Sequence, residues 1–121
     1  MLKFTFLNLA IISSTLLSFT ISTGVPAANA QSKQCASESV SISRSGKIAT
    51  EITFINQRNA PVKLYWLDYS GQRKFYTLIA PSNRITQSTF VTHPWVITDN
   101  NNNCLGVYYP DGQPRIVEIS D

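Results

Sequence analysis

The sequence predicts an all-β fold, a seven- to eight-stranded antiparallel β-sandwich that follows an N-terminal export signal. Three observations carry this. After residue 30, short runs alternate apolar and polar residues, which is the period of a half-buried strand. Gly, Pro or Asn separates the runs at regular spacing. No apolar period of 3.6 is sustained over three turns in that part of the chain.

The first thirty residues carry one charge, Lys3, ahead of an apolar stretch from Phe4 through Ile21. Gly24 and Pro26 break that stretch, and the small tripeptide Ala28-Asn29-Ala30 follows. A positive start, an apolar middle and a small-residue end predict a secretory signal peptide over 1–30, cut after Ala30. The alternative is an uncleaved anchor. The run reaches the roughly 18 residues of a membrane span only if its Ser, Thr and Asn are counted. Residues 31–121 are then the mature domain, exported to a secreted or periplasmic location with no stable membrane span.

The strands follow in order. Val40–Ser43 alternates. Ile48, Thr50, Ile52 and Phe54 share one face of the next run, and Ala49, Glu51 and Thr53 share the other. Asn56 to Asn59 is a turn closed by Ala60-Pro61. Val62, Leu64 and Trp66 then line a face opposite Lys63 and Tyr65. Asp68-Tyr69-Ser70-Gly71 is a second turn, with Gly71 free to take a positive φ. Lys74–Ile79, Ile85–Val91 and Trp95–Thr98 read as strands. Asp99 and Asn100 to Asn103 form a turn. Cys104–Tyr109 and Arg115–Ile119 flank Pro110-Asp111-Gly112-Gln113-Pro114, which reads as a hairpin loop.

Charge narrows the function. Lys3 is one of ten Lys and Arg, and the other nine face seven Asp and Glu, leaving +2 on residues 31–121. That surplus is small and scattered, so neither a nucleic-acid footprint nor a polybasic membrane patch is expected. The chain has two cysteines and one histidine, too few for a protein-built zinc or iron–sulfur site, and it has no glycine-rich phosphate loop. No metal and no cofactor are expected. In an exported chain Cys35 and Cys104 have only each other, which favours a disulfide worth roughly 4 kcal/mol. Two free thiols are the alternative.

Trp66, Tyr76, His93 and Trp95 are the residues with chemical potential. Two indoles, a phenol and an imidazole within thirty residues can wall a ligand pocket. The plainer reading makes the tryptophans sandwich core and His93 a loop residue. A catalytic reading, with His93 as base for Ser88 or Thr89 and Asp99 as its orienter, lacks any nucleophile-elbow sequence. No enzyme is expected.

Ile52-Thr53-Phe54-Ile55-Asn56, Pro61-Val62-Lys63-Leu64-Tyr65-Trp66-Leu67-Asp68-Tyr69, Gly71, Tyr76, Thr89-Phe90 and His93-Pro94-Trp95 closely resemble the β domain of the von Hippel–Lindau family. The resemblance implies a seven-stranded antiparallel sandwich and a pocket that recognises hydroxylated proline. Carried over by position, Trp66 and Trp95 are walls, and Tyr76 is a wall whose hydroxyl binds peptide backbone. Thr89 stands at the family's serine, and His93 matches its histidine. The implied partner is an extended or proline-hydroxylated peptide. The family's tumour suppressor adds a helical domain that docks elongin C, for which this chain has no room after its last strand. No elongin or ubiquitin-ligase partner is therefore expected. Ser88 stands where the tumour suppressor has a histidine. Ser45 and Lys47 replace residues that contact peptide backbone there.

Overall fold

The computed structural model describes residues 33–121. The expected signal peptide over 1–30 lies outside the described residues. Seven strands are present: β1 (Ala49–Asn56), β2 (Val62–Leu67), β3 (Arg73–Ile79), β4 (Arg84–Phe90), β5 (Trp95–Thr98), β6 (Cys104–Tyr108) and β7 (Arg115–Ile119). They form a three-stranded sheet in the order β4-β1-β7 and a four-stranded sheet in the order β3-β2-β5-β6.

Each sheet offers one apolar face to the other. Ile52 and Phe54 of β1 are fully buried, as are Val62 and Leu64 of β2. They meet Ile79, Trp95, Ile97, Val117 and Ile119 in one core. This is the alternation read from sequence, and it sets the register, since a one-residue slip would turn these side chains outward. Ile48, which precedes β1, escapes the pattern and stays exposed. The central strand β5 is buried along its whole length.

Three expectations are corrected. Val40–Ser43 is not a strand. Ala36–Val40 is a short 3-10 helix, and the residues from Ser41 to Lys47 run extended without joining either sheet. Bonds to Glu38, one local and two from β3, hold the turn there instead. The Glu38 carboxylate accepts from the Cys35 backbone N–H and forks onto the Arg73 guanidinium at 2.7 and 2.8 Å.

The loop at Pro110–Pro114 is not a hairpin. It carries the chain from β6 in one sheet to β7 in the other. β7 then lies parallel to β1, pairing Phe54 with Val117 and Asn56 with Ile119, so the sandwich is not wholly antiparallel. The buried Val117 and Ile119 complete the core against β1, an apolar match that a hairpin onto β6 would forfeit.

The disulfide is present. Cys35 and Cys104 are joined with their Cα atoms 5.3 Å apart, and Cys104 N–H donates to the Lys33 carbonyl at 2.7 Å. From this staple, residues 41–47 form a strap along one end of the sandwich. Ser43 N–H donates to the Asp68 carbonyl, and Ser43 Oγ donates to that of Leu67. Arg44 N–H donates to the Thr92 carbonyl, and Thr92 Oγ1 returns a bond to Arg44 O. A Cβ on Gly46 would lie 2.5 Å from Phe90 Cβ, so only glycine lets the strap approach this closely.

Candidate functional site

Trp66 on β2 and Trp95 on β5 are directly paired across adjacent strands, so both indoles face the smaller sheet. From that sheet Thr89 on β4, paired with Thr50, faces back. Trp95 Nε1 donates to Thr89 Oγ1 at 2.8 Å across the interior. The two are 2% and 6% exposed.

Tyr76 reaches this layer through a bulge. The β2–β3 register passes from Leu64 opposite Thr77 to Tyr65 opposite Phe75, which leaves Tyr76 as the extra residue. A bulge re-aims a side chain. Phe75 stays on the outer face, edge-on to Tyr65, while Tyr76 meets Trp95 edge-on with ring centroids 4.8 Å apart. Tyr76 remains 48% exposed, and its hydroxyl has no hydrogen-bond partner among the described residues.

His93 sits in the turn after β4, closed by its own N–H donating to the Phe90 carbonyl. Its ring lies 5.4 Å from Trp66, tilted by 37°. Two aromatics that sequence reasoning had not placed in the site also pack on it. Tyr69 stands edge-on at 5.6 Å, with its hydroxyl 3.3 Å from His93 Nε2, and Phe90 lies at 5.3 Å. The available signal was position: each aromatic borders a turn that brackets the histidine.

All five predicted residues therefore lie in one layer at one end of the sandwich. Trp66, Tyr69, Phe90 and His93 form one ring cluster; Tyr76, Thr89 and Trp95 form a second, joined to it by the Trp66–Trp95 pairing.

Hydrogen-bonding capacity is left over in this layer. Indole N–H can only donate, so Thr89 Oγ1 accepts from Trp95, and its own proton finds no acceptor among the described residues. His93 Nδ1 is likewise without a partner there. Trp66 Nε1 and Thr50 Oγ1 are buried and unpaired. Buried groups like these last two are rare in folded interiors, because each costs about 1–3 kcal/mol.

The residues weighed for catalysis do not assemble. Ser88 is exposed and points away from its neighbour Thr89. Asp99 is occupied in its own turn, accepting from the backbone of Asn101 and Asn103. Burial pushes the Asp99 carboxyl up, but those bonds and the nearby Arg58 charge outweigh it and hold the group below the ordinary aspartate value. The sulfurs of Cys35 and Cys104 and a Glu38 oxygen lie within 4.8 Å of one another. The two sulfurs are bonded together, so neither offers a thiolate to a metal. No helix among the described residues is long and apolar enough to cross a membrane.

Comparison with known families agrees with the fold. The family model for the VHL beta domain matches residues 41–117. The chain belongs to the VHL beta domain family. The match spans β1 to β6 and most of β7, and it begins at the strap. It includes every residue of the aromatic layer, while Cys35 lies ahead of it.

Proposed function

We propose that this VHL beta domain is an exported peptide-binding module without catalytic activity. Its aromatic layer takes a proline-like residue of an extended segment, with 4-hydroxyproline as the preferred form. The observation that carries the reading is the unspent proton of Thr89. A ligand hydroxyl accepts that proton and donates its own to His93 Nδ1. Plain proline leaves both groups unpaired in a nearly dry layer, which is the basis for discrimination. Tyr76 supplies an exposed ring edge and a free hydroxyl for peptide backbone. A prolyl ligand is stiff beforehand, so little is lost in ordering it.

Calorimetry of the purified protein with paired proline and 4-hydroxyproline peptides tests this. The reading expects tighter binding of the hydroxylated peptide, loss of that preference in T89V, and its retention in T89S. Equal or absent binding to both peptides by folded protein overturns it. A second reading rests on the burial of Trp95, Thr89 and His93, which suits a core that holds no ligand. That reading expects T89V to change stability alone.

A further inference from the structure

The strap builds a second concavity beside the aromatic layer. Val40, Ile42, Val91 and Tyr109 wall a cleft of about 340 Å³, and Arg44 and Thr92 complete its lining. Its apolar residues are unusually open to solvent: Val40 is 81% exposed, Ile42 44% and Tyr109 46%. The neutral polar groups at its rim are already paired. Thr92 Oγ1 donates to Arg44 O, and the Tyr109 hydroxyl is bonded to that of Ser41. Arg44 differs. The ion pairs among the described residues are Arg58–Asp121, Arg73–Glu38 and Lys74–Asp68, so no carboxylate meets its guanidinium.

An apolar hollow edged by an uncompensated guanidinium complements an apolar side chain with a carboxylate beside it. The cleft also adjoins the first site along the chain. Val91 and Thr92 belong to the same turn as His93, so a segment leaving the aromatic layer along this turn meets the cleft. We propose that the cleft is a second subsite for the same extended peptide, taking an apolar residue and an Asp or Glu two positions from it. That spacing puts both side chains on one side of an extended chain. The proposal rests on the peptide-binding reading above.

The test uses 4-hydroxyproline peptides carrying Leu-Gly-Glu two to five residues before or after the hydroxyproline. Each is compared with the same peptide carrying Gly-Gly-Gly. At one placement the Leu-Gly-Glu peptide is expected to bind about tenfold tighter, from partial apolar burial plus one exposed ion pair. R44E should abolish most of that gain and transfer it to the matching Leu-Gly-Lys peptide. If hydroxyproline peptides bind but no placement gives a gain, or the gain survives R44E, the subsite is wrong and the first reading stands. If no peptide binds to protein whose circular dichroism is native, both fall.

Discussion

The staple end and the aromatic layer use polar groups in opposite ways. Around Cys35–Cys104 the polar groups are spent on one another. Glu38 takes both the Arg73 fork and the Cys35 N–H. Arg73 also donates to the Asn102 carbonyl, and Asn102 Oδ1 receives Lys63 and Tyr65. Asn102 holds a φ of 67°, which asparagine tolerates better than most side chains. In the aromatic layer the reverse holds: Thr89, Trp66 and His93 keep capacity that no neighbour uses. A saturated network fixes architecture. An unsaturated one, held in a rigid frame, costs stability until something else fills it.

This contrast can be broken at several points. The largest effect is expected at the staple. Replacing both Cys35 and Cys104 with Ser should cost about 4 kcal/mol, given the 69-residue separation. Thermal melting should show this as a fall of roughly 20 °C. Next is R73M, which strands the buried Glu38 carboxylate and should cost about 3 kcal/mol in urea unfolding. Adding E38Q should recover part of it. If R73M is tolerated, the staple end is not the closed network described. T89V should cost less, about 1–2 kcal/mol, because it removes the acceptor for Trp95 Nε1. T89S should lie near the wild type.

The smallest effect concerns acid. The Gln72 N–H and the Ser70 hydroxyl hold the Asp68 carboxyl below the ordinary aspartate value against desolvation, with the Ser70 N–H and Lys74 adding to them. A depressed folded value means that its stabilisation is complete above the unfolded value and is lost as pH falls through the folded one. Melts between about pH 5 and pH 2 should therefore decline less steeply in D68N than in the wild type. An unchanged acid slope would show that the Asp68 turn contributes nothing.

How much of this was legible depends on how local the cause is. Strands β1 and β2 were readable because alternation at Ile52 and Phe54, or at Val62 and Leu64, encodes a buried face directly. The same signal misled at Val40–Ser43. Val40 instead ends a 3-10 turn whose Glu38 is held by Arg73, thirty-five residues further on, a contact that alternation cannot register, and Ser41 to Ser43 join neither sheet. The partner of β7 was hidden for a similar reason. Pro110–Pro114 is sound turn chemistry whether the chain reverses or crosses between sheets, and the choice lies in the fit of Val117 and Ile119 to β1. For the candidate site, the family resemblance named Trp66, Tyr76, Thr89, His93 and Trp95, which the fold gathers in one layer. Tyr69 and Phe90 entered only with the folded turns, and the placing of Tyr76 depends on a bulge that no single residue announces.

The side-by-side run of β1 and β7 has a consequence for how the molecule comes into being. The earliest described strand waits for the latest, so Thr53 and Ile55 keep a bare margin of amide and carbonyl groups until residues 115–119 arrive. A ribosome can release most of this polypeptide before its smaller sheet can close. During that interval the bare margin is a template for a stranger's backbone, and the last five-residue strand is what retires it.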